Sequence, residues 1–195
     1  MRRIIYSSQG RIEWDAQSAF KLTNYYTDLE EHMVFCYLRQ YVEAGSLKLC
    51  TYCFDSTAAG KQDLVLSLNP NPEHQSGYLN LTFGIDGIEC MEKITEPCNS
   101  SALPIKCEGL NADSIAFSSH KANDQQGYYW CGEITLSKDF LAENFGAHLG
   151  EKSILALNMY KLFLPSGDYA SLFPDNINDK NKRSDFMQEF VVLNY

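Results

Sequence analysis

The chain has 195 residues, 45% of them hydrophobic and 21% charged, enough for one domain (1–195) with a sizeable core. A net charge of -9 forgoes the counterion release that drives nucleic-acid binding and disfavours anionic membranes, so neither is an expected partner. No apolar run reaches the length of a membrane span, and the basic start passes to Gln9, Arg11 and Glu13 without a leader's apolar stretch.

In chain order, Ile4 to Trp14 is expected as an edge strand, and Ala16 to Leu22 is too short to assign. Residues 29–42 carry conflicting signals. Leu29, Met33, Cys36, Tyr37 and Tyr41 fit helical spacing, yet the segment from Met33 to Val42 is rich in aromatic and β-branched residues; strand is the expectation. From Ser46 the period is two, with Leu47, Leu49, Thr51 and Cys53 on one face and Lys48, Cys50, Tyr52 and Phe54 on the other. Asp63 to Leu68 is a strand stopped by Asn69-Pro70-Asn71-Pro72.

The stretch from Gly77 to Gly87 organises the chain. Leu79, Leu81, Phe83 and Ile85 point one way; Tyr78, Asn80, Thr82 and Asp86 point the other. Gly87 to Asn111 reads as an irregular excursion. Ser114 to Ser119 and Tyr128 to Leu136 are strands, and Ser137 caps a short helix with Asp139 in its first turn and Gly146 beyond its end. Ile154 to Phe163 is a strong strand that sets Asn158 and Tyr160 opposite Leu155, Leu157 and Met159. A polar loop from Asp175 to Asp185 precedes a closing strand, Phe186 to Tyr195. About eight strands and one or two short helices define an all-β chain: a single-domain β-sandwich of mostly antiparallel strands.

The seven cysteines are an odd number and sit mostly in apolar runs, which fits reduced, buried thiols and a cytoplasmic location. Cys50 and Cys53 have CxxC spacing, but on a strand positions three apart face opposite sides, so no metal is assigned to them. The loop Asp175-Asn176-Ile177-Asn178-Asp179 is rich in the oxygen ligands calcium prefers, but Ile177 and Lys180 interrupt both alternating registers. It reads as a solvated loop, and no cofactor is expected. No P-loop, dinucleotide fingerprint, HExxH or nucleophile elbow is present, which argues against an enzyme, although two carboxylates across a cleft would leave no local mark. Two strands carry polar faces of amides, hydroxyls and phenols: Tyr78, Asn80 and Thr82 on one, Asn158 and Tyr160 on the other. Such surfaces suit a polyol, with rings against C–H faces and amides on hydroxyls.

These residues resemble the carbohydrate-binding module family 9-like domains, which share the DOMON-like β-sandwich. Gly77-Tyr78-Leu79-Asn80-Leu81 is similar to the family's Gly-Tyr-x-Asn-hydrophobic strand. Asn158-Met159-Tyr160-Lys161 resembles its Asn-aromatic-Tyr-Lys strand, and Trp130 to Leu136 its Trp-x-x-x-Ile-Pro segment. Thr82 stands where the family often has Glu, and Ser171-Leu172-Phe173-Pro174 lacks the Trp of a Ser-Trp-x-Pro segment. The polar-face pattern and the resemblance together imply a non-catalytic domain that binds a neutral saccharide through Tyr78, Asn80, Trp130, Asn158, Tyr160 and Tyr169. The rival expectation is an interaction or structural domain that kept the fold and lost the sugar.

Overall fold

A computed structural model of the chain describes residues 2–26, 35–55, 64–74, 77–95, 106–124, 127–163, 168–174 and 187–195. Within them run β1 (Arg3–Ser8), β2 (Phe20–Lys21), β3 (Asn24–Tyr26), β4 (Cys36–Glu43), β5 (Ser46–Asp55), β6 (Leu64–Asn69) and β7 (Tyr78–Gly84). There follow β8 (Gly87–Thr95), β9 (Lys106–Gly109), β10 (Ala116–Asp124), β11 (Gly127–Leu136), α1 (Lys138–Phe145), β12 (Ile154–Phe163), β13 (Asp168–Ser171) and β14 (Gln188–Asn194).

All strands belong to one hydrogen-bonded path, β10-β11-β5-β4-β1-β14-β12-β6-β7-β8-β9, with β2, β3 and β13 paired off its side. The path curls so that its two halves meet face to face. Phe83 on β7 touches Phe117 on β10 and Trp130 on β11, with ring centroids 6.1 and 6.3 Å apart. Ser119 Oγ on β10 donates to the Ile85 carbonyl at 2.6 Å. Leu47, Leu49, Cys53, Ile134 and Leu136 line the interior from one half; Leu64, Leu66, Leu79, Leu81, Leu155 and Leu157 line it from the other. Each buried large apolar side chain contributes roughly 1.5–3 kcal/mol, so this interior holds the two layers together.

Most expected elements are found, and an all-β sandwich is the fold. The final strand is shorter than expected, and the described part of 29–42 is strand (β4). Two expectations are corrected. β1 is not an edge: it lies between β14 and β4 and pairs parallel with both. The excursion expected from Gly87 opens as β8, paired through Gly109 with β9. Its buried residues, Met91 and Ile94, are three apart, so it lacks the period-two mark. Residues 175–186 and 56–63, including the calcium-type sequence, lie outside the described residues.

Local signals set the helix and the start of the organising strand. Ser137 Oγ accepts from the Phe140 N–H at 3.1 Å, and Gly146 ends α1 in the left-handed region at φ 59. Phe140, Leu141 and Phe145 turn its apolar side into the core. Gly77 enters β7 at φ +83, where a Cβ would lie 2.4 Å from the Ile94 carbonyl; only glycine fits.

Candidate functional site

Register decides which of the expected site residues meet. β6 lies between β7 and β12, so their polar faces share one outward surface without being neighbours. One row across the strands reads Asn158, Ser67, Asn80, Glu92. The next reads Ser171, Tyr160, Val65, Thr82, Cys90. β13 extends the surface with Tyr169, and β3 with Tyr26 beside it. Tyr26 and Tyr169 stack at 4.7 Å, and Tyr160 meets Tyr169 edge-on at 6.1 Å.

Exposure divides this surface. Asn80, Thr82 and Glu92 on one rim, and Tyr26 and Tyr169 on the other, are half-buried. Between them Val65, Ser67, Asn158 and Tyr160 are buried, and so is Tyr78 beyond Asn80. Asn80 Oδ1 accepts from Ser67 Oγ at 3.1 Å, which fixes its amide in the row. The Cys90 thiol is pushed up by burial and by the negative charge of Glu92.

Asn158 has a different task. Along one edge of β12 the partner changes from β13, opposite Tyr160 to Phe163, to β14, opposite Ile154 to Leu157. Asn158 sits at that change, fully buried. Its Oδ1 accepts from the Phe173 N–H at 3.0 Å and the Met159 N–H at 2.9 Å, and its Nδ2 donates to the Phe173 carbonyl at 3.2 Å. The side chain supplies hydrogen bonds where the ladder passes from one strand to the next.

Trp130 lies apart from the other five. It points from β11 into the interior, 5% exposed, against Phe83. The alternation of Tyr128 and Trp130 on one strand face was legible; that this face is the inner one was not.

The opposite outward surface, on β4, β5 and β11, holds residues that were not assigned to a site. Phe35, Phe54 and Tyr129 form one cross-strand line with centroids 5.4 and 5.1 Å apart. Tyr37 and Tyr52 stack at 4.8 Å in the next row, followed by Cys131 and His120. Cys50 Sγ and Cys131 Sγ are 3.4 Å apart, and a Glu133 carboxylate oxygen joins them in a cluster spanning no more than 4.8 Å. The Cys131 thiol is held below its ordinary value chiefly by its hydrogen bond with Cys50, against burial, while Cys50 is pushed far up by the same contact and by burial. The two thiols therefore hold one proton more tightly than the other. The sequence signal was the alternation of Cys50, Tyr52 and Phe54; the partner strand was missing.

Cys53 faces inward, as strand geometry requires of the second CxxC cysteine. There it stands opposite Cys36 on β4, and Lys161 Nζ, 1% exposed, donates to its sulfur at 3.2 Å. The Cys36 thiol is pushed well up by its contact with Cys53 and by burial, against the charge of Lys161.

No family model matches this chain, and no curated protein matches it. Solved structures do. They share its β-sandwich architecture. A candidate carbohydrate-binding protein from Bacteroides uniformis ATCC 8492 superposes with a TM-score of 0.65 at 12% identity, over 91% of this chain and 87% of its own. A carbohydrate-binding module of family 9 from Caldicellulosiruptor kristjanssonii, solved with glucose, superposes with a TM-score of 0.60 at 10% identity, over 99% of this chain and 97% of its own.

Proposed function

We propose that this chain is a non-catalytic saccharide-binding domain of the DOMON-like kind, working in the cytoplasm. The ligand lies across the β13-β12-β6-β7 surface. The observation that carries the reading is the arrangement of that surface, with half-buried phenols on one rim and a half-buried amide and hydroxyl on the other. Tyr169 and Tyr26 offer ring surface to sugar C–H groups, with Tyr160 bracing Tyr169 from below. Asn80 and Thr82 bond hydroxyls, and Tyr78 supports the strand beside them. Asn158 acts through the Phe173 segment, and Trp130 through the core behind β7.

Strand spacing sets the ligand size. From β13 to β7 is three strand intervals, about 14 Å. That span suits a short oligosaccharide better than one ring. The similarity in fold to a module solved with glucose supports glucose and its oligomers as the first probes.

Calorimetric titration tests the reading. An oligomer of glucose is expected to bind more tightly than the monomer. Tyr169→Ala is expected to abolish the signal while the protein stays folded. Asn80→Ala is expected to weaken binding about tenfold, the loss of one hydrogen bond. Flat titrations with a panel of neutral saccharides on folded protein would overturn the proposal in favour of a protein-interaction domain.

A further inference from the structure

We propose that Cys50, Cys131 and Glu133 form a zinc site on the outward face of β5 and β11, remote from the saccharide surface and independent of it. The argument starts from register. Cys50 stands opposite Glu133, and Cys131 opposite Tyr52, so the two thiols lie on a diagonal between adjacent antiparallel strands. Their sulfurs are 3.4 Å apart. Two thiolates on a tetrahedral zinc ion, each at ~2.3 Å, stand ~3.8 Å apart, so a shift of a few tenths of an ångström admits the ion.

The third donor is in place. Glu133 is two residues from Cys131, so both project to the same face, and its carboxylate falls within the 4.8 Å cluster. Trp14 Nε1 donates to Glu133 Oε1 at 3.2 Å, leaving the other oxygen for the ion. Such outer partners fix the direction of a metal ligand. The fourth position of the tetrahedron falls to a water; His120, exposed on the edge strand β10, is the direct cross-strand neighbour of Cys131 but its ring lies outside the cluster.

The donor set selects the metal. Two sulfurs with a carboxylate oxygen suit zinc, whereas calcium and magnesium take oxygen ligands. Binding releases the thiol protons to solvent and needs no oxidant. Arg39 stands opposite Cys50 and offsets part of the remaining negative charge. Among the described residues, the 3-10 turn Trp14–Ala16 lies over this face and carries the indole that reaches Glu133.

Cobalt(II) is the spectroscopic probe, added to full-length, reduced, chelator-treated protein in which the exposed Cys90 and Cys107 and also Cys98 are changed to serine. Sulfur-to-cobalt charge transfer and tetrahedral visible bands are expected, both displaced by zinc. Cys131→Ser is expected to remove them and Cys36→Ala to leave them, which separates this cluster from the inward pair. Should Cys131→Ser fail to fold, Glu133→Gln and Trp14→Phe decide the matter: each is expected to weaken zinc binding about tenfold or more, with the charge-transfer band retained. A folded, reduced protein with no cobalt band, a band unchanged in Cys131→Ser, or a zinc affinity unchanged in both Glu133→Gln and Trp14→Phe would overturn the proposal.

Discussion

The two outward faces of the sandwich bury polar side chains in rows set by the same strand register, but they commit those groups differently. On the β12-β6-β7 face, the fully buried amide of Asn158 is bonded to backbone, at Phe173 and Met159. On the β4-β5-β11 face, Cys50 contacts Cys131, and Trp14 reaches Glu133. A side chain bonded to backbone locks the chain's path, because moving it leaves main-chain groups unpaired. Side chains bonded to one another can exchange their partner for an ion or ligand without disturbing the ladder. The first face is therefore rigid in its floor and offers only its rims. The second keeps a polar cluster that is free to change partners.

The largest expected effect tests the locked half of this contrast. Asn158→Ala removes the side-chain acceptor of the Phe173 and Met159 N–H groups in a buried setting, while the Phe173 carbonyl keeps Ser171 Oγ at 2.6 Å. An unsatisfied buried group costs about 1–3 kcal/mol, so the variant should lose about 3 kcal/mol in denaturant unfolding. A loss below about 1 kcal/mol would mean that water satisfies Phe173 and that Asn158 is not what holds the ladder there.

Asn158 also shows how far the sequence could be read. Alternation in Ile154 to Phe163 placed Asn158 and Tyr160 on one face, and that was right. Alternation says nothing of which strand lies alongside, and the switch from β13 to β14 is what gives Asn158 its role. The helix was legible because its cap, Ser137, and its stop, Gly146, act within a few residues of themselves. β1 was misjudged because parallel pairing on both sides comes from residues far along the chain, Val42 and Phe190 among them. β8 was missed because only Met91 and Ile94, out of phase with period two, are buried near its centre. The Cys50–Cys131 contact joins residues 81 positions apart, so no local spacing announces it. The rims of the proposed saccharide surface were half legible. Asn80 and Tyr169 were named, but Tyr26 reaches the surface only through its pairing with Tyr169.

A smaller effect probes the exchangeable half through pH. Burial, and next the charge of Cys50, hold the Tyr52 phenol well above its ordinary value. Burial also raises Tyr37 and Tyr41, and the Cys36 thiol is raised in the interior. In the unfolded chain thiols lose their protons near pH ~8.5 and phenols near ~10. The native state keeps these protons longer. Their contribution to stability is therefore complete below those values and declines as pH rises through the native ones. Unfolding midpoints should fall steadily above roughly pH 8.5, with a steeper fall above roughly pH 10. Tyr52→Phe should flatten the steeper part and lower neutral-pH stability by only about 0.5–1.5 kcal/mol per lost bond. An unchanged slope in that variant would place the alkaline sensitivity in the other raised groups, Tyr37, Tyr41, Cys50 and Cys36, rather than in Tyr52.

The smallest effect concerns the turn over the thiol face. Asp15 pairs with Arg39, but the Asp15 side chain is 97% exposed, against 17% for Arg39. A pair with one partner in bulk solvent is screened and has to order two flexible side chains, so it adds little to stability. Asp15→Asn should leave the unfolding midpoint unchanged within error at neutral pH, in low and high salt alike. Trp14 is held by other contacts, its bond to Glu133 and its ring against Tyr41 at 5.0 Å, and should keep its fluorescence maximum in that variant. A red shift would show that the ion pair, rather than the indole, fastens the turn. The contrast between the faces would then extend to the covers above them: backbone-bonded at Phe173, charge-tethered at Trp14–Ala16.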